Sequence, residues 1–117
     1  MTPRAFLRKT LDEVCPGAYL AYAPGNNRKP PLPFYVYSPR YGEEFFADDT
    51  NYAMLPRFRV ELFFKENDPE FSDRFEEALS RCGTWSRYEV DWLNSENCLY
   101  HDYRLSVNLG KMRESEG

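Results

Sequence analysis

The chain has 117 residues, 42% hydrophobic and 17% aromatic, a length and composition that predict one folded domain with its own core. Its 19 acidic residues outnumber 15 Lys and Arg, and the net charge of −4 argues against a domain that binds nucleic-acid phosphates nonspecifically. The chain has neither a long apolar run nor the apolar core of a secretory signal, so we expect no membrane association and a cytoplasmic location after synthesis.

The first predicted element is a helix in "TPRAFLRKTLDEVCPG". Thr2 is suited to the N-cap and Pro3 to the first helical position, where a missing N–H group costs nothing. Leu7 and Leu11 lie on one face at helical spacing, and a Pro-Gly pair ends the helix. The stretch "AYLAYA" is predicted to follow as a short strand.

The next segment, "PGNNRKPPLP" (residues 24–33), contains four prolines, one glycine, two asparagines and two cations. This composition predicts an exposed irregular loop. Loops of this length in small domains often carry function, which makes Asn26, Asn27, Arg28 and Lys29 candidate contact residues. The alternative interpretation is a simple connector.

Two strands are predicted around an irregular segment. "FYVYSP" is the first, and "PRFRVELFFK" is the second, with Phe58, Val60, Leu62 and Phe64 alternating with charged residues. Between them, "RYGEEFFADDTNYAML" is predicted to pass through two turns, as a hairpin arm. In the second strand Phe63 interrupts the polar face.

A second helix is predicted in "NDPEFSDRFEEALSRCG", with Asp68 as a cap and Pro69 at the first helical position. Two strands follow, "SRYEVDWL" and "CLYHDYRLSVNL". Alternation in the first of them predicts that Tyr88, Val90 and Trp92 point inward.

This element order predicts an α+β domain: an antiparallel or mixed sheet of about five to six strands with two helices packed on one face. The domain is expected to span residues 1–110, and residues 111–117 to form a flexible polar tail. The predicted core consists of Leu7, Leu11, Phe58, Val60, Leu62, Phe71, Phe75, Leu79, Val90, Leu105 and Val107.

No residue pattern of a known reaction is present, and we assign no catalytic, cofactor-binding or metal-binding residue. The acidic pairs 43–44, 48–49 and 76–77 are expected to be solvated surface charges. One alternative is an enzyme using His101 and Asp102 as acid and base.

A second alternative is a zinc site joining Cys98 and His101 to the thiols of Cys15 and Cys82. Structural zinc sites usually have two closely spaced ligand pairs, and this chain has one. Three cysteines without a CxxC pair are more typical of buried free thiols in a reducing compartment.

The remaining signal is a contact surface. Arginine and tyrosine on a strand face are typical of protein–protein contacts, although the same charges also serve solubility and edge protection. The predicted interface residues, besides the four of the 24–33 loop, are Arg40, Tyr41, Phe45, Phe46, Asp48, Asp49, Tyr52, Arg57 and Arg59.

The chain resembles the small tail-completion proteins of tailed phages and prophages, the group that includes tail terminators. The resemblance covers roughly residues 4–109 and is most specific in "DDTNY…RVELFFKENDPEFSDRFEEAL". "CPGAYLAYAP", "FYVYS" and "WLNSENCLYHDYRLSV" complete it.

This resemblance implies a non-enzymatic virion assembly protein that caps the tail tube and joins it to the head as a ring of identical subunits. The implied partners are further copies of the chain, the tail tube protein and the head connector proteins. The implied location is the virion, and the host cytoplasm during assembly. The alternative function is a small regulatory or adaptor module that binds a host protein through an aromatic strand face.

Overall fold

The helices and strands of the computed structural model follow the predicted order, with one helix added at the end. The structure describes residues 1–15, 18–20 (backbone only), 30–40, 56–94 and 97–116. The elements are α1 (Pro3–Asp12), β1 (Ala18–Leu20), β2 (Phe34–Pro39), β3 (Arg57–Phe64), α2 (Phe71–Cys82), β4 (Gly83–Leu93), β5 (Cys98–Val107) and α3 (Leu109–Glu116). None of the helices in these ranges has the length and apolar content needed to cross a membrane.

Four strands, in the order β2-β3-β5-β4, form an antiparallel sheet, and the three-residue β1 extends it by pairing parallel to β2. The α+β prediction is therefore confirmed. In detail, the described residues contain three helices where two were predicted. β4 occupies one edge of the sheet and pairs with β5 alone among the described strands.

Helix α1 begins as its sequence predicts. The Thr2 hydroxyl accepts a hydrogen bond from the Ala5 backbone N–H at 3.1 Å, with Pro3 in the first turn. Helix α2 begins two residues later than predicted, and Asp68 does not cap it. The Asp68 carboxylate instead forms an ion pair with Arg74 at 3.2 Å.

Helices α1 and α2 pack against one face of the sheet, which we call the helix face; the opposite face is the outer face. The helix face contributes Tyr35 and Tyr37 from β2, alternate residues of β3 from Phe58 to Phe64, and Tyr103, Leu105 and Val107 from β5. Ten of the eleven predicted core residues are buried here.

The eleventh, Val90, is 55% exposed, so its predicted burial is wrong. The same holds for its strand neighbours Tyr88 and Trp92, which are 65% and 37% exposed. β4 lies at the sheet edge, and a bulge between Arg87 and Glu89 reverses its alternation. The sequence pattern shows neither feature.

Residues 111–116, predicted to form a flexible polar tail, belong to α3. Met112 is buried in the main core, and Lys111 donates a hydrogen bond to the Ser80 carbonyl at 2.8 Å. Because only Met112 of this short helix is buried, with Leu109 partly buried against the same core, periodicity in the sequence does not reveal it.

Candidate functional site

A cluster of charges occupies the middle of the outer face. Asp102, almost fully buried, accepts hydrogen bonds from Arg104 and from Arg59, the latter at 3.2 Å from Nε. Arg59 also lies 3.4 Å from Glu61, and Tyr100 donates to Glu61 at 2.6 Å. The cluster holds both arginines in fixed positions on the sheet.

These contacts change the ionisation of the cluster. The hydrogen bond to Asp102 is the main reason that the pKa of Arg59 is raised, so its guanidinium stays charged. Burial, followed by the hydrogen bond to Glu61, raises the pKa of Tyr100. Arg59, predicted as a contact residue, therefore directs its donors mainly to carboxylates of its own chain.

Beside this cluster lies a groove of about 210 Å³, which we call the arginine groove. Three arginines line it, Arg40, Arg57 and Arg104, together with the exposed Tyr88. The small side chains of Thr84, Ser86 and Ser106 leave the space between them.

Sheet geometry explains why these residues meet. The Arg40 backbone N–H donates to the Arg57 carbonyl at 2.9 Å, which continues the β2–β3 pairing by one residue. The bulge in β4 turns Tyr88 to the outer face, where the Arg104 guanidinium lies 4.5 Å from its ring centroid. Such a cation–π contact orders both side chains. Among the described residues, the buried Nε of Arg104 has no hydrogen-bond partner.

At the other end of the outer face is a small apolar patch of Phe34, Val36, Phe63, Cys98 and Tyr100, all buried. The rings of Phe34 and Phe63 stack with centroids 4.6 Å apart. This patch explains why Phe63 interrupts the charged alternation of β3. The outer face thus carries an apolar end, a charged centre and the arginine groove.

The helix face contains a polar chain that sequence reasoning missed. The Tyr103 hydroxyl lies 2.8 Å from His101 Nδ1 and donates to Glu76 Oε2 at 2.7 Å, and Arg87 lies 3.0 Å from the same oxygen. Glu76 was expected to be solvated, but its side chain is only 16% exposed. Burial raises the pKa of Tyr103 and lowers that of His101.

The alternative enzyme pair is not assembled by this geometry. His101 and Asp102 are adjacent on β5, and their side chains point to opposite faces of the sheet. His101 contacts the ring of Phe64 under the helices, whereas Asp102 contacts Arg59 and Arg104 on the outer face. They cannot act together on one substrate atom.

The alternative zinc ligands are likewise separated. Cys15 and Cys82 are buried in the main core, while Cys98 belongs to the outer-face patch and His101 to the helix face. Burial raises the pKa of the Cys82 thiol to about 11. Within the described ranges, no three His, Cys, Asp or Glu side chains are grouped as metal ligands.

Of the predicted interface residues, the structure describes Arg40, Arg57 and Arg59, and it places all three on the outer face. The other predicted residues, in the ranges 26–29 and 41–52, lie outside the described part of the chain. Sequence reasoning did not select Tyr88 or Arg104 for this surface. The polar alternation of β5 could have indicated Arg104, but nothing in the sequence marks the bulge that exposes Tyr88.

No protein-family model, curated protein or solved structure matches the chain. The outer face is therefore the feature from which a function can be argued.

Proposed function

We propose that the chain is a non-enzymatic virion assembly protein of the tail-completion kind, which caps the tail tube and joins it to the head as an oligomeric ring. The observation that carries the contact role is the arginine groove on the outer face. The phage context rests on the sequence resemblance across residues 4–109.

The groove has the chemistry of a protein contact. Arginine and tyrosine are enriched where proteins meet, because each combines a large contact area with directional hydrogen bonds. Asp102 and the Tyr88 ring hold Arg104 in place before any partner binds. Less side-chain entropy is then lost on association.

An acidic protein segment suits this groove better than a nucleic acid. A guanidinium pairs well with a carboxylate, and the hydroxyls of Ser86 and Ser106 supply further donors. Carboxylates at Glu61, Asp102 and Glu89 occur on the same face, and the chain is acidic overall. Those charges would repel a phosphate backbone, which carries a charge at every nucleotide, more strongly than a protein segment with a few carboxylates.

The groove also stands where the predicted contact segment begins and ends. Arg40 precedes residues 41–56 in the chain, and Arg57 follows them. The backbone hydrogen bond between these two arginines holds the two ends of that segment together at the groove. This position supports our assignment of segment and groove to one contact surface, facing another subunit, the tail tube or the connector.

The test is a null allele of the gene in the phage or prophage that encodes it, with particles viewed by electron microscopy. We expect separate heads and tails, and joined particles when the wild-type gene is supplied in trans. Normal joined particles from the null allele would overturn the proposal. If particle yield alone changed, and the chain were found with a host protein and not in particles, the adaptor alternative would replace it.

A further inference from the structure

The edge strand β4 carries apolar side chains that its own fold leaves uncovered. Val90 and Trp92 point to the helix face, opposite His101 and Leu99 of β5, yet they are 55% and 37% exposed. No strand in the described part of the chain pairs with the outer edge of β4. Exposed aromatic and branched residues on a long unpaired edge are typical of a strand that pairs with another chain.

Helix α2 lies over one half of β4 and not over the other. Helix α2 ends where β4 begins and lies over its first half, where Trp85 donates to Ser80 at 2.8 Å and Arg87 to Glu76 at 3.0 Å. The second half, after the bulge, has no such contacts with α2 among the described residues. Val90 and Trp92 are exposed because the helix lies over the other half of the strand.

The bulge fixes which residues share a face. Before it, Trp85 and Arg87 lie on the helix face, opposite Leu105 and Tyr103 of β5. After it, the even-numbered Val90 and Trp92 take that face, and Glu89 moves to the outer face opposite Asp102. Tyr88, in contact with Arg104, is also on the outer face.

We propose that β4 pairs antiparallel with β4 of a second copy, about a two-fold axis that passes between Tyr88 and Glu89. In this register Tyr88 stands opposite Glu89 of the other copy. Val90 stands opposite Arg87, and Trp92 opposite Trp85. The first half of each β4, with the end of its α2, then lies beside the exposed half of the other.

The register follows from the positions of the side chains. A shift of one residue places helix-face side chains opposite outer-face side chains along the strand. A shift of two residues in either direction also places a helix-face side chain opposite an outer-face side chain, in this case at the bulge. With the axis between Tyr88 and Glu89, every opposed pair from Thr84 to Leu93 shares a face.

The positions of the charged side chains are compatible with the same register. Arg87 faces Val90, Glu89 faces Tyr88 and Asp91 faces Ser86, so no like charges are directly opposed across the axis. Like charges directly opposite each other destabilise a strand pair. The competing explanation is that the bulge and these charges protect the edge from pairing, in which case the chain is a monomer.

The two-fold pair does not depend on the proposed function and does not itself build a ring. An isologous contact closes on itself, so ring contacts require other surfaces of the subunit. The state of the purified chain therefore tests the pairing, and the phenotype of the null allele tests the assembly role. Either the pairing or the assembly role can therefore be disproved without the other.

The experiment is sedimentation velocity of the full chain over a dilution series, for wild type, Val90→Arg and Val90→Glu. Both variants replace an exposed valine with a charged side chain, and a thermal melt of each checks that it folds. The register predicts a concentration-dependent dimer for wild type. In the dimer of Val90→Arg, each of the two introduced arginines would stand opposite Arg87 of the other copy. The register therefore predicts that the dissociation constant of Val90→Arg is at least about tenfold higher than that of Val90→Glu.

Three results would overturn the proposal. A wild-type chain that is monomeric throughout the series supports edge protection. A dimer that both variants retain at wild-type strength uses another surface. Equal weakening by Arg and Glu shows that Val90 is buried on association but contradicts the register.

Discussion

Phe75 is one of the side chains through which α2 packs on the sheet. It is fully buried, with its ring centroid 5.6 Å from that of Tyr35 and 6.0 Å from that of Tyr103. Phe75→Ala should lower the free energy of unfolding by about 3–5 kcal/mol, because the lost contacts and the cavity add. Denaturant melts measure the change.

Glu77 provides the control for this substitution, since it is exposed on the same helix. Glu77→Ala should change the free energy of unfolding by no more than about 0.5 kcal/mol. A cost below about 1 kcal/mol for Phe75→Ala would show that this site is not packed as described.

His101 should make stability depend on pH. Burial lowers its pKa below the ordinary value of 6.5, Arg87 lowers it further, and Glu76 opposes them. The unfolded chain therefore binds a proton that the folded chain does not, and stability should fall as pH decreases from about 6.5 towards the folded-state pKa.

The measurement is the urea midpoint at several pH values from about 7.5 to about 5.5, for wild type and His101→Gln. Glutamine retains a polar partner for Tyr103 but cannot titrate, so other groups contribute equally to both proteins. As pH falls, the urea midpoint of wild type should decrease more than that of His101→Gln. A pH-independent difference would contradict the assignment.

At the scale of elements, the junction of α2 and β4 depends on the absence of a side chain at Gly83. A Cβ there would overlap the Ser106 carbonyl oxygen and approach the Asn108 backbone nitrogen to 2.9 Å. Because both neighbours are backbone atoms, one in β5 and one in the residue that follows it, Gly83→Ala should destabilise the fold by about 1–3 kcal/mol.

Gly110 offers the contrasting case within the same chain. A Cβ at Gly110 would meet only the Asn108 side chain, at 3.1 Å, and alanine is the better helix former inside α3. Gly110→Ala should leave the thermal midpoint unchanged or slightly raised. If Gly83→Ala and Gly110→Ala lowered the thermal midpoint equally, the close approach of backbone atoms at Gly83 would not be the cause of the destabilisation.

The elements that sequence predicts best are those whose own periodicity sets their burial. Alternating residues in β3 and the stripe of α2 predict the helix-face core correctly. β4 shows the limit of this reasoning, because its exposure depends on its edge position and on a bulge. α3 shows another limit, since its one buried residue, Met112, leaves no pattern.

For the molecule as a whole, the two faces of one sheet have different roles. The helix face carries the main core, whereas the outer face carries the charges and the arginine groove. Arg57 could be chosen from sequence because strand alternation puts it on one side of β3 with Arg59, and Arg40 because it flanks the proline-rich loop. Tyr88 could not, since its position beside Arg104 on the outer face depends on the bulge in β4.

The central claim, that the chain joins phage structures through the arginine groove, is tested most directly by filling the groove. Ser106→Tyr places a large side chain between Arg57 and Arg104 on the outer face, and Glu77→Tyr places the same side chain on the exposed surface of α2. Each variant is supplied to the null allele after its thermal melt is shown to match wild type. The fraction of heads joined to tails is then counted by electron microscopy.

We expect Glu77→Tyr to restore joined particles and Ser106→Tyr to leave heads and tails separate. Joined particles at the wild-type fraction with Ser106→Tyr would contradict the assignment of the groove as the contact surface.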